Sequence, residues 1–281
     1  MAATLAEILD SHRTHRPIVM GVLNVTPDSF SDGGRFFDPS AAVEQARRMA
    51  AEGADAIDVG AESTRPGSQR VAPGEQIRRL RDVLPRLPGL GPVVSIDTTS
   101  AEVARFAIAA GARIINDVSA GREDPEIFPL AAAEGAALVL MHMLGEPRTM
   151  QADPRYKDVV REVYEFLAGR LTAATAAGVD RRKCMVDPGI GFGKRLEHNL
   201  ALLAHVDVLT KLEVPVVVGP SRKRFLGELT GQNGPDRRLA GTIAACVEAY
   251  RAGATVFRVH DVAPAVDALK VARAIHPAGG D

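Results

Sequence analysis

Asp97 in "SIDT", Asn116 in "NDVS" and Asp187 in "DPGIGFGK" lie far apart in the chain, yet each ends a short apolar run. If those runs are neighbouring strands, two carboxylates and an amide meet at one place. Buried carboxylates need donors, because an unpaired one is costly away from water. A flat heterocycle with an amino group beside a ring N–H offers two donors to one carboxylate. A second reading stays open, in which Asp97 or Asp187 pairs with Arg258 or Lys223 as scaffold. Arg65, Lys223, Arg258 and His260 call for an anionic partner. With Thr64 and the side-chain oxygen of Asn24, that partner reads as a phosphate or diphosphate with a hard divalent cation. Mg²⁺ takes oxygen ligands, keeps several waters and shares its sites with phosphate oxygens. There is no Cys/His cluster for zinc, and His12, His15, His198 and His205 read as surface or core histidines.

Two further stretches stand out. "VLNVTPDSFSDGG", residues 22–34, sets many oxygen-bearing side chains around a single aromatic, Phe30. "GIGFGK", residues 189–194, looks like a phosphate loop but fits neither G-x-G-x-x-G nor G-x-x-x-x-G-K-[ST]. Its glycines read as shaping a pocket rim, with Phe192 as a wall. "SRKRF" alone is weak evidence for nucleic-acid binding.

The elements that must position these groups alternate along the chain. Apolar, β-branched runs cover 18–23, 56–59, 93–96, 113–115, 137–141, 184–186, 214–218 and 255–259. Helical patterns fill intervals such as 40–52, 74–87, 101–110, 158–177 and 237–252. Many end in a glycine stop, as in "AEGADAIDV" and "RAGATVFRV". Near-continuous apolar runs are the mark of parallel strands buried on both faces. Eight β-then-α units predict an α/β fold, a single-domain TIM (β/α)₈ barrel, whose catalytic face lies at the C-terminal strand ends. A doubly wound open sheet is the alternative. Polar residues fall at all eight of those ends: Asn24; Asp58 with Glu62, Thr64, Arg65 and Pro66; Asp97; Asn116 and Asp117; Met141-His142; Asp187; Ser221 to Lys223; Arg258 and His260. Single residues such as Thr99, Ser100 or Asp124 read as helix caps, but convergence on one end predicts one polar pocket. Residues 1–16 read as a mobile or loosely packed lead with a short helix over 4–9, 17–277 as the barrel and 278–281 as a tail.

The 281 residues are 46% hydrophobic, ample for a large core, and the net charge of −1 gives no sign of a nucleic-acid or membrane partner. Cys184 and Cys246 are far apart and outside any C-x-x-C motif, as in a reduced cytoplasmic protein. No charged stretch followed by an apolar one opens the sequence and no apolar run is long enough to span a membrane, so a soluble, untargeted chain is expected.

"MGVLNVTPDSFSDGG", "DVGAESTRPG", "SIDT", "NDVS", "LMHMLGEPRTMQ", "DPGIGFGK", "GPSRKRF" and "RVHDV" resemble, in order, the motifs of the dihydropteroate synthase family, from about Pro17 to Ile275. One departure is Ala61, where a second glycine is usual, and a slightly tighter loop is expected there. The resemblance implies a TIM barrel that joins p-aminobenzoate to 6-hydroxymethyl-7,8-dihydropterin diphosphate, giving 7,8-dihydropteroate and diphosphate in tetrahydrofolate biosynthesis. It implies that Asp97, Asn116, Asp187 and Lys223 bind the pterin edge, that Met141, Phe192 and Gly219 wall the pocket, and that Arg258 stacks over the ring. It further implies Asn24 as a Mg²⁺ ligand and Thr64, Arg65, Arg258 and His260 as the diphosphate clamp. Phe30, Thr64, Pro66, Ser221 and Lys223 would frame the p-aminobenzoate site, where sulfonamides bind in this family. On this likeness the 24–38 loop is a lid: Asn24 meets the metal, Phe30 covers the aminobenzoate, Asp32 reaches the reacting centre, and Gly33 and Gly34 let it move. A homodimer through the C-terminal helices is also implied.

Three rival readings remain. A methyltetrahydrofolate-binding methyltransferase barrel would share the pterin pocket but has no use for "STRPG" or "SRKRF". A non-catalytic paralogue would show degenerate loops. An aldolase-type barrel with a Schiff-base Lys223 would place its amine in a strand interior rather than between two arginines.

Overall fold

The computed structural model describes residues 2–26, 38–63, 68, 70–146 and 149–276. Among them, eight strands form one parallel sheet: β1 (Ile18–Asn24), β2 (Ala56–Gly60), β3 (Val93–Asp97), β4 (Ile114–Asp117), β5 (Ala137–Met141), β6 (Cys184–Asp187), β7 (Val217–Val218) and β8 (Val256–Val259). Their order is β6-β5-β4-β3-β2-β1-β8-β7. A parallel bridge between Val186 and Val216 and a 3.0 Å hydrogen bond from the Val186 N–H to the Pro215 carbonyl bring β6 beside β7. The sheet therefore curls into a barrel rather than staying open. β7 is shorter than the run 214–218 predicts, because Pro215 has no N–H to give a ladder.

The helices are α1 (Leu5–Leu9), α2 (Ser11–Thr14), α3 (Pro39–Ala51), α4 (Pro73–Leu80), α5 (Ala101–Ala109), α6 (Ile127–Glu134), α7 (Val159–Ala176), α8 (Leu196–Ala204), α9 (Val206–Thr210), α10 (Arg224–Thr230), α11 (Leu239–Arg251) and α12 (Val262–Ile275). Caps set several starts. Ser100 accepts from the Val103 N–H, Asp158 from the Arg161 N–H, and the Thr4/Glu7 capping box closes α1. The expected glycine stops at Gly53, Gly111, Gly135 and Gly253 all have positive φ. The helix expected over 74–87 ends at Leu80, and 3₁₀ turns follow at Leu84–Arg86 and Pro88–Leu90. Pro85 and Pro88 remove the N–H groups that a continuing helix would use.

The lead is not loose. Ala3 and Ile8 join Ile18, Met20, Ala56, Ile114 and Val217 in a buried cluster inside the N-terminal half of the barrel. Asp55 ties the lead down, accepting from the Ala3 N–H (2.9 Å), the Val19 N–H (3.0 Å) and Arg16 Nη2 (3.1 Å). This plug fills the bottom of the barrel with apolar side chains. A second, larger core lies between the sheet and the helices.

Candidate active site

Register explains why residues so distant in sequence meet. Asn24 pairs with Gly60, Gly60 with Asp97, and Asp97 with Asn116, so four strands reach the same level around the barrel mouth. Because side chains alternate along a strand, Asp58 lies on the face of Gly60 and Ser95 on the face of Asp97, one layer deeper.

That deeper layer holds the strongest interactions in the site. Asp58, fully buried, accepts from Ser95 Oγ (2.6 Å), Asn116 Nδ2 (2.9 Å) and Arg258 Nε (2.6 Å). Arg258 Nη2 reaches Asp97 Oδ2 at 2.8 Å. One guanidinium from β8 thus joins carboxylates from β2 and β3. The pairing of Asp97 with Arg258, left open as scaffold by the sequence, is the arrangement present. Burial raises the Asp97 carboxyl above the usual range; Arg258 pulls it back, and Asp58 pushes it further up. The same carboxylates hold the Arg258 guanidinium firmly charged against the cost of its burial.

Across the mouth, Asp187 Oδ1 accepts the Gly189 N–H at 2.6 Å. Burial lifts its carboxyl to about 6, while that hydrogen bond and then Lys223 and Arg258 favour the ionised form. Lys223 Nζ lies over the Phe192 ring, 4.0 Å from its centroid. Phe192 and Met141 belong with Val118, Met143 and Met150 to a separate apolar cluster on this side. Gly219 backs onto Arg258: a Cβ there would stand 3.7 Å from Arg258 Cβ. Ser221 Oγ accepts the His260 N–H at 3.1 Å and lies 3.0 Å from His260 Nδ1. Burial, then Arg258 and Arg222, lower His260 to about 3 and keep the imidazole neutral.

The rim is built as the glycines of "GIGFGK" imply. Gly189, Gly191 and Gly193 all have positive φ, and a Cβ on Gly189 would stand 2.0 Å from the His142 carbonyl oxygen. Asn199 Oδ1 accepts the Gly191 N–H (2.7 Å), Gln151 Nε2 donates to the Gly191 carbonyl (2.6 Å), and Tyr156 Oη donates to the Gly193 carbonyl (2.8 Å).

Thus Asn24, Asp97, Asn116, Met141, Asp187, Phe192, Gly219, Ser221, Lys223, Arg258 and His260 all lie at the C-terminal mouth of the barrel. Phe30, Asp32, Thr64, Arg65 and Pro66, with Gly33 and Gly34, lie outside the described residues. Glu62, at the near edge of that loop, accepts from the Val71 N–H (3.2 Å) and Gln76 Nε2 (2.9 Å). Among the described residues, no group of three or more His, Cys, Asp or Glu side chains could cage a metal. Asn24 Oδ1 faces the mouth, 3.7 Å from where a Cβ on Gly60 would stand.

The sequence placed Asp58 among the polar residues of the strand ends without giving it a role, and it did not single out Ser95. Their signal was available, since each is a polar residue inside a buried apolar run and two positions before a mouth residue.

Residues 20–260 match the profile of a family described as pterin binding enzyme. The chain belongs to that family. Among pterin-binding enzymes, the dihydropteroate synthase of Mycobacterium leprae is 49% identical over 268 residues, covering 93% of this chain and 94% of that protein. Two solved structures of Xanthomonas albilineans dihydropteroate synthase share the fold. The one with 4-aminobenzoic acid has a TM-score of 0.88 at 49% identity and covers 93% of this chain and 94% of that chain. The one with 7,8-dihydropteroate has a TM-score of 0.84 at 46% identity, with the same coverage.

Proposed function

We infer that this chain catalyses the dihydropteroate synthase reaction, condensing 6-hydroxymethyl-7,8-dihydropterin diphosphate with p-aminobenzoate to give 7,8-dihydropteroate and diphosphate. The observation that carries this reading is the match of nearly the whole barrel to dihydropteroate synthases at 49% identity. The polar mouth of this chain supports it.

The reaction breaks the C–O bond between the pterin methylene and diphosphate and forms a C–N bond to the aniline nitrogen, which then loses a proton. The electron-rich pterin ring stabilises positive charge at the methylene as the leaving group departs. In this reading Asp187, with Asn116 and Asp97, accepts the amino and ring N–H groups of the pterin and fixes its orientation. Met141 and Phe192 give that ring an apolar wall that keeps water from the cationic carbon. Arg258 places positive charge beside the departing oxygens, and neutral His260 offers a hydrogen-bonding nitrogen there. Ser221 holds His260, and Lys223 bridges the pterin side, through Asp187, and the aminobenzoate side. Thr64, Arg65, Phe30, Pro66 and Asp32 are assigned the remaining diphosphate, aminobenzoate and lid contacts by family likeness.

A hard cation fits the donor set. A neutral amide oxygen at the mouth suits an ion that keeps most of its waters and binds phosphate oxygens. Asn24 would hold Mg²⁺, which when bound offsets negative charge on the leaving diphosphate.

We further propose a cytoplasmic homodimer. Val271 and Ile275 of α12 are 59% and 65% exposed, and with Val247 of α11 they line an apolar groove on the outer surface. The occupant proposed is the same groove of a second copy. Among the described residues no helix is long and apolar enough to cross a membrane, and both cysteines are buried free thiols.

Purified protein given both substrates and Mg²⁺ should form 7,8-dihydropteroate. Binding of methyltetrahydrofolate in place of the dihydropterin diphosphate, without product, would favour the methyltransferase reading instead.

A further inference from the structure

The lysine that ends "GIGFGK" has no role in the reaction outlined above, yet it is buried, at 3% exposed. Lys194 Nζ donates to the carbonyls of Phe192 (3.0 Å) and His142 (3.3 Å) and lies 3.0 Å from His142 Nδ1. An ammonium has three N–H groups and no acceptor, so these three acceptors saturate it. All three are neutral. Burial lowers Lys194 to about 7, with Asp187 supporting its charge from a distance and Lys223 opposing it. His142 is held neutral, at about 2, by burial and then by Lys194 and Arg122, so Nδ1 can accept.

Lys194 sits where two site-bearing loops touch. Met141 ends β5 and His142 follows it, and residues 188–195 follow β6. Their backbones are too close for side chains: a Cβ on Gly193 would stand 2.5 Å from the Leu144 carbonyl oxygen. A Cβ on Gly191 would lie 3.0 Å from Lys223 Cδ. The two carbonyls that Lys194 holds therefore belong to Phe192 itself and to the residue after Met141. A charge buried among neutral partners stabilises a fold poorly compared with an apolar side chain of similar length. Packing alone would be served as well by methionine.

We propose that Lys194 is a positioning residue for the pterin end of the pocket: it ties the backbones at His142 and Phe192 together and so fixes the Met141 and Phe192 walls and the Lys223 side chain where the pterin ring needs them. The inference rests on the dihydropteroate synthase reading and deepens it.

The test is Lys194→Met, with dihydropterin diphosphate binding by titration calorimetry in Mg²⁺ and steady-state kinetics for both substrates. The expected result is a Kd and KM for the pterin raised by at least about tenfold, with the p-aminobenzoate KM at saturating pterin changed by less than about threefold. The melting temperature should stay at or above that of the unaltered protein. Unchanged pterin affinity, or a lower melting temperature with unchanged kinetics, would overturn the proposal. Should the methionine variant not fold, Lys194→Gln, which is shorter and uncharged, goes through the same calorimetry and kinetics, and an unchanged pterin Kd and KM would overturn the proposal. If the unaltered protein binds no dihydropterin diphosphate, the activity reading falls and this inference with it. If it binds and the variant binds equally, this inference alone falls.

Discussion

Arg258 is the residue on which the site turns. Its Nε and Nη2 contacts to Asp58 and Asp97 make it a strut across the barrel mouth; its place beside the diphosphate is our proposal. Arg258→Met would leave two buried carboxylates without their cation, and removing one partner of such a pair costs about 3–5 kcal/mol. Urea unfolding should show a loss of that order; an unchanged midpoint would reduce Arg258 to a ligand contact. Asp187 carries a pH prediction. Its carboxyl is raised to about 6 by burial, and only the ionised form accepts two pterin N–H bonds. Affinity for dihydropterin diphosphate should therefore be full above pH 6 and fall about tenfold per unit below it. Asp187→Asn should bind at least about tenfold more weakly and lose that acid limb, as seen in calorimetry across pH. Asn24, Asp97, Asn116 and Asp187 were legible because each lies at the end of an apolar run. Asp58 was harder: its position inside "AIDVG" marks it as buried and polar, but only the barrel's curvature brings β8 and Arg258 to it.

The loops after β5 and β6 behave as one unit, joined by glycine contacts and Lys194. His142 at that junction has a folded-state value near 2 against an ordinary 6.5. Below pH 6.5 the unfolded chain takes up a proton that the folded chain refuses, so stability falls as pH drops through that window. His142→Gln keeps an acceptor and loses the titration. Its stability should decline less steeply between pH 6 and 4, by on the order of 1 kcal/mol per pH unit. Parallel acid limbs for variant and parent in urea unfolding would refute this. Element positions were readable where the signal was local: glycine stops, caps and apolar runs. They were misread where proline intervened, in the truncated α4 and the short β7. The packed lead escaped because short segments such as α1 show their partners only in the folded barrel, where Ile8 fills the bottom of the core.

At the scale of the whole molecule, β6 meeting β7 turns eight strand ends into one mouth, and the plugged bottom leaves that mouth as the place for polar chemistry. The outer face of α11 and α12 is the counterpart, an apolar groove that we assign to a second copy. Val271→Glu with Ile275→Glu should shift the protein from dimer to monomer in analytical ultracentrifugation without lowering its melting temperature. A parent protein that sediments as a monomer would remove the dimer from the account. The measurement that bears most directly on the central claim is diphosphate release by the purified protein with Mg²⁺ and dihydropterin diphosphate, with and without p-aminobenzoate. Release that depends on p-aminobenzoate and matches dihydropteroate formed one for one is the expected result. A protein that binds the pterin but releases no diphosphate when p-aminobenzoate is added would contradict it.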